Sequence, residues 1–271
     1  MGAQWLTVIY SLLTCFGGGV LVFLGVSELM GIAPKTRRAA AIAAALLLLA
    51  GGCVFVGSLG HPGRIMAVAT NAVRGAPKSL EFVCAVACLV AAIVYAVVSF
   101  RDEEGGTTAK VVGAIGLVLG VLMAVAAGYS NALGRAVWSS IVLPVAYFGG
   151  GIAMGGSLFC GLMACLHEDA SDIRKLLWAT LAGALLQAVG FVAAGACSGF
   201  AFDALLYWVG AIAVGTVVPI ACLVLSSKVQ VLVFAALAGS AVGAVCLRVA
   251  MFSLGTTSLQ LIANAASRVA L

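Results

Sequence analysis

Charged residues are scarce in this sequence: 8% of its 271 residues are Asp, Glu, Lys or Arg, while 64% are apolar and the mean hydropathy is +1.23. A water-soluble domain carries roughly 25% charged residues, so too little polar surface is present to cover a water-facing body. That shortage excludes a soluble enzyme, a nucleic-acid-binding domain and a disordered chain together. Histidine is scarcer still, with only His61 and His167. Cysteine is present nine times, but in no CxxC or CxxCH spacing, and the residues fall mostly inside apolar runs. They read as small buried hydrophobes rather than a disulfide framework or a cluster site.

What is abundant is apolar runs of about 20 residues, the length at which an α-helix crosses roughly 30 Å of hydrocarbon. An outer-membrane barrel would instead show short alternating segments. The expected fold is therefore all-α, a single polytopic domain over 1–271 with eight transmembrane helices. The first runs from Trp5 to about Met30 and is too long for a signal-peptide core. The others run from Ala39 to about Gly60, Ser79 to Phe100, Lys110 to about Gly128, Ile141 to Leu166, Leu176 to about Ala196, about Ala204 to Leu225 and about Val229 to Phe252. A mildly amphipathic tail follows. No internal repeat is evident, and glycines such as Gly17-Gly18-Gly19 and Gly149-Gly150-Gly151 suit close helix packing.

The connections after the odd-numbered helices hold eight Lys and Arg residues, namely Lys35, Arg37, Arg38, Arg101, Lys110, Arg174, Lys175 and Lys228. Those after the even-numbered helices hold Arg64, Arg74, Lys78 and Arg135. The positive-inside rule then puts the first set in the cytoplasm and both termini outside. Three of the outer cations crowd into the connection after helix two. Either that loop meets an anionic or docking partner, or the charges are simply solvated.

Two histidines on opposite faces cannot ligate one iron, so the chain is read as lacking haem. His167, in His167-Glu168-Asp169, reads as part of a solvated loop. His61 has richer company: Arg64, Asn71, Arg74, Lys78, Glu81, Tyr129, Asn131, Arg135, Trp138, Asp203 and Arg248 are all expected toward the same outer side. Arg248 is expected to snorkel outward or to pair with Glu81 or Asp203. A histidine beside a carboxylate at the apolar border suits the removal of protons from a quinol, although His61 also suits a plain helix-end cap. Glu28 reads as an interfacial acid, with a second proton site as the alternative.

The connection Ser58-Leu59-Gly60-His61-Pro62-Gly63-Arg64, continuing through Asn71-Ala72-Val73-Arg74 to Ser79-Leu80-Glu81, resembles the membrane anchor subunit of dimethyl sulfoxide reductase, the DmsC-type anchors. Tyr129-Ser130-Asn131, Trp138 and Pro144 resemble a second family segment. The sequence departs from that pattern in where proline and arginine follow His61, and in a shorter spacing from His61 to Glu81. The resemblance implies a menaquinol-oxidising anchor of a bacterial cytoplasmic (inner) membrane. It would pass electrons to a ferredoxin-like iron–sulfur subunit and a molybdopterin catalytic subunit, with no iron–sulfur cluster of its own. It further implies His61 and Glu81 as proton-handling residues, and Arg64, Arg74, Tyr129 and Trp138 around the quinol. The rival readings are a secondary transporter of a small solute and an NrfD-like quinol-interacting anchor.

Overall fold

The computed structural model describes residues 2–101, 106–133, 142–198, 200, 202–226 and 230–269, with backbone alone at 2–4, 62, 133 and 254–269. All regular structure among these residues is helical. The helices are α1 (Gly2–Met30), α2 (Thr36–Ser58), α3 (Ile65–Val73), α4 (Pro77–Arg101), α5 (Thr107–Leu133), α6 (Val142–Cys165) and α7 (Ala170–Cys197). A π-helical segment (Leu205–Val217) then runs into α8 (Val218–Leu225), and α9 (Leu232–Val269) closes the chain. Eight helical stretches are long and apolar enough to span a membrane, the seventh being the π segment with α8.

Neighbours in the bundle follow the chain. Helices α1, α2, α4 and α5 pack in a ring, each against the next and α5 back onto α1. A second ring forms from α6, α7, the π segment with α8, and α9. The rings join chiefly where α6 lies against α1 and α5, helped by α9 against α1. In consequence α1 and α6 are the most enclosed spans, with 72% and 67% of their central windows buried against 22% for the seventh. Outward faces are apolar instead of charged: Val111, Ile115, Val118, Leu122 and Val125 make an exposed stripe along α5 at helical spacing. In water that stripe would be a liability, whereas in hydrocarbon it is the favourable surface.

Glycine decides how close the rings come. A Cβ built on Gly19 of α1 would lie 1.9 Å from the Gly151 carbonyl oxygen of α6, and one on Gly155 would lie 2.2 Å from the Gly19 carbonyl carbon. Gly18 and Gly25 meet Gly120 and Gly113 of α5 in the same way. Hydrocarbon supplies no hydrophobic drive between helices, so this close backbone contact is what holds them. The packing role expected for the glycine runs is thus the one the structure gives them.

Helix ends are closed by local hydrogen bonds. After α1 the chain turns at Gly31 (φ +67°), where Ile32 N–H donates to the Ser27 carbonyl at 3.0 Å and Gly31 N–H to that of Glu28 at 3.2 Å. This is the paired arrangement of a Schellman motif. His167 (φ +53°) takes the equivalent left-handed place after α6 and turns Glu168 toward α2. There the Glu168 carboxylate accepts from the backbone N–H groups of Lys35 (2.7 Å) and Thr36 (3.1 Å). Glu168, expected in a solvated loop, therefore caps a helix of the other ring.

The structure departs from sequence expectation in further places. The connection after the second span contains α3, whose nine residues were too short and too flanked by charge to read as a helix. Helix α5 continues past Gly128 through Tyr129, Ser130 and Asn131 to Leu133, and α9 runs on through the expected tail to Val269. In the seventh span, Pro219 brings no N–H to the turn where π geometry gives way to α. The side chain of Gln187 on α7 compensates, its Nε2 donating at 3.3 Å to the carbonyls of Gly215 and Ser240.

Gly19→Ala is expected to destabilise the detergent-solubilised protein by about 1–3 kcal/mol or more, read as a fall in thermal midpoint. Gly52→Ala, where a Cβ meets nothing within 4 Å, should stay within about 1 kcal/mol of wild type on the stabilising side. Equal responses would show that the α1–α6 contact is not what limits stability.

Candidate functional site

At the end of the bundle where α1 begins, a cavity of about 210 Å³ opens along the seam between the two rings. Thr7 of α1, Lys78 of α4, Ser130 and Asn131 of α5, Tyr147 of α6, and Met251 and Phe252 of α9 line it. Both rings contribute because the seam is formed by α1, α5, α6 and α9, and each residue lies within about two turns of the end of its membrane-spanning stretch. The lining is largely apolar with a few convergent polar groups, the usual make-up of a small-molecule site.

Behind this lining sits Glu81, fully buried one turn into α4. Its Oε2 receives the Lys78 ammonium at 2.8 Å and the Ser130 hydroxyl. Lys78 also donates to Asn131 Oδ1 at 3.1 Å, and Asn131 Nδ2 donates to the Ala127 carbonyl at 2.7 Å. The other carboxylate oxygen, Oε1, is buried without a hydrogen-bond partner in the structure. Burying a carboxylate costs several kcal/mol unless it is paired. Here one oxygen carries all the pairing and the other retains its acceptor capacity. Tyr10, one face of α1 away, is within electrostatic reach of Glu81 and also has a buried hydroxyl without a partner. Its ring begins an aromatic ladder to Phe55 (4.8 Å) and Phe82 (4.5 Å between centroids).

One turn deeper than Thr7 and Met251 of the lining stand Ser11 and Arg248. Arg248 lies one turn below Met251 on α9 and is 3% exposed. Its Nε donates to Ser11 Oγ of α1 and its Nη1 to the Ala244 carbonyl, both at 3.0 Å. The guanidinium lies over the Tyr147 ring, 4.1 Å from its centroid. Among the described residues no carboxylate approaches Arg248 within 4 Å. The expectation that Arg248 snorkels or pairs with Glu81 or Asp203 is therefore corrected. A stacking partner and two oxygen acceptors at its own depth replace both. Asp203 instead accepts the Leu206 N–H at 3.0 Å, at the start of the π segment.

Of the residues singled out from sequence, Glu81 stands directly behind the cavity. His61 is exposed in the turn after α2 and is not among the lining residues. Arg64 is exposed and donates to the Leu59 carbonyl at 3.2 Å, and Arg74 is exposed at the end of α3. Tyr129 is 51% exposed on the outer face of α5 while its neighbour Ser130 turns inward. Trp138 and Arg135 lie outside the described residues. Sequence reading missed Tyr147, Ser11 and Thr7, which looked like ordinary members of apolar helices. The available signal was the hydroxyl spacing Thr7, Ser11, Thr14 on a single face of α1.

The opposite end has its own buried acid. Glu28, expected at the interface, is fully buried, paired with Arg37 Nε at 2.6 Å and hydrogen-bonded by the Tyr95 hydroxyl. Gly113 makes room for its stem. His167 is at this end, so the two histidines stand at opposite ends of the bundle. Among the described residues no three His, Cys, Asp or Glu side chains group as a metal site. No protein-family model matches the chain, and no curated protein matches it.

Ser130→Ala is expected to cost about 1.5–3 kcal/mol, the value of a hydrogen bond to a charged group. The same change in a Glu81→Leu background should cost almost nothing. Equal losses in the two backgrounds, measured by thermal unfolding, would assign the hydroxyl's contribution to its bond with the Ala127 carbonyl.

Proposed function

We propose that this chain is the membrane anchor and menaquinol-oxidising subunit of a dimethyl-sulfoxide-reductase-like molybdoenzyme complex in a bacterial cytoplasmic membrane. The observation that carries the reading is the seam cavity backed by a fully buried carboxylate with one free oxygen. Oxidation of a quinol releases two protons and two electrons, and each proton needs an acceptor. Ser130 lines the cavity and already donates to Glu81. It can accept a proton from a quinol hydroxyl while passing its own to the carboxylate, the role of a general-base relay. Lys78 and Asn131 supply donors at the ring's depth, and Met251 and Phe252 supply apolar contact.

The electrons leave toward a ferredoxin-like iron–sulfur subunit bound on the same face, and from there to a molybdopterin subunit where the terminal acceptor is reduced. The exposed Arg64 and Arg74 around α3 suit an acidic partner surface there. With the cationic end around Lys35, Arg37 and Arg38 in the cytoplasm, this face is the outer one. The resemblance in the connection around His61 favours this family over an NrfD-like anchor.

One feature favours a second reading, a solute transporter: the seventh span is irregular where its π segment meets Pro219. Discontinuous spans often mark transport sites. Here, however, the freed carbonyl is bonded by Gln187.

Glu81→Gln is expected to lower menaquinol-dependent reduction at least about tenfold, with artificial-donor activity of the assembled complex retained. His61→Ala supplies the contrast. A larger loss in His61→Ala than in Glu81→Gln would move the quinol site out of the seam cavity to the connection after α2. Unchanged quinol kinetics in both variants would sink the quinol reading and favour transport.

A further inference from the structure

The charges around the seam cavity do not cancel. Helix α4 supplies Lys78 and Glu81, which pair with each other at 2.8 Å. Helix α9 supplies Arg248, for which no described residue provides a counter-charge. The other elements around the site contribute neutral groups: Thr7, Tyr10, Ser11 and Cys15 from α1, Ser130 and Asn131 from α5, and Tyr147 from α6. A buried guanidinium without an anion is costly at membrane depth. Two oxygen acceptors and an aromatic face hold it in place but leave its charge unneutralised.

Arg248 does not itself line the cavity, and that charge meets it through Tyr147. Tyr147 lines the opening with Arg248 over its ring, and its phenol faces Ser11, the residue that also accepts from Arg248. Tyr147 also lies within electrostatic reach of Glu81. A ligand touching Tyr147 thus meets a side chain within electrostatic reach of both the paired carboxylate and the cation.

From this arrangement we infer that the cavity holds its quinone-class ligand as an anion, with Arg248 as the counter-charge, a refinement that rests on the quinol reading above. The proton step balances without an oxidant. The hydroxyl O–H bond of the quinol breaks, its proton passes to the Ser130 oxygen, and the proton of Ser130 moves to Glu81. The negative charge formerly on Glu81 then resides on the quinol oxygen, facing Tyr147 and Arg248. Arg248 acts through Tyr147 and Ser11 and is a positioning residue.

The test uses the purified full-length chain with two probes, an alkyl-hydroxynaphthoquinone that is ionised at neutral pH and its methyl ether, which is neutral and nearly the same shape. Wild type is expected to bind the ionised probe about tenfold or more tightly than the ether. Arg248→Gln should abolish that preference, read as the ratio of the two affinities within the variant, and Arg248→Lys should retain most of it. A readout that needs no variant is the visible band of the ionised probe, which should persist to lower pH when bound to wild type than when free. Equal affinities for the two probes, or a band lost at the same or higher pH than in solution, overturns the inference while leaving a quinone site intact. Binding of neither probe defeats the quinol reading itself.

Discussion

The close approach of α1 to α6 is the constraint on which the rest of the molecule depends. Gly19, Gly151 and Gly155 let the two backbones touch where any side chain would hold them apart. A shift of even a methyl group there separates the rings and opens the seam. The same contact fixes the relative height of the two helices, and so sets Thr7 and Ser11 of α1 opposite Tyr147 of α6. The cavity is a consequence of ring packing: the helices touch at their glycines and leave a gap nearer the end, where side chains are larger.

The ionisable groups are arranged around this apolar centre as two enclosed pairs. Lys78 with Glu81 stands at one end and Arg37 with Glu28 at the other, both inside the first ring. Pairs buried in this way add little net stability against an apolar alternative, but losing one partner strands a charge and costs several kcal/mol. Their difference lies in what surrounds them. The Arg37 side chain is 10% exposed, whereas the Lys78 side chain is 42% exposed at the cavity edge. Solvent screening weakens the second pair, so it is the one that can rearrange when a ligand arrives.

The sequence made the spans legible because a long apolar run bounded by charge has only one stable form in a bilayer. It did not make the facing of those spans legible, because a lipid-exposed surface is as apolar as a packed one and the usual amphipathic stripe disappears. Tyr129 and Ser130 illustrate the point: the more conspicuous residue faces outward and its small neighbour forms the site. Glu81 could be picked out because an acid near a helix start must be paired or functional. Arg248 stands out by the same rule, but its partners are not legible, since the aromatic face that holds it comes from α6, more than a hundred residues earlier in the chain. His61 stood out by rarity, which identifies a residue without locating its contacts. Glu168 was hidden because its role as a helix cap lies in the other ring.

Arg248 and Ser11 belong to different rings, and their hydrogen bond crosses the seam directly beneath the cavity. This polar contact between the rings therefore also bears on Tyr147, which lines the site. A ligand that draws the guanidinium toward itself strengthens or strains a bond on which ring packing leans, so site occupancy and the α1–α9 contact share one free energy. The glycine contacts at mid-depth are rigid and cannot take up such a change. Any adjustment is confined to the end of α9 beyond Arg248 and to the start of α1. Those segments stand at the same end of the bundle as α3 and the exposed Arg64 and Arg74 that flank it.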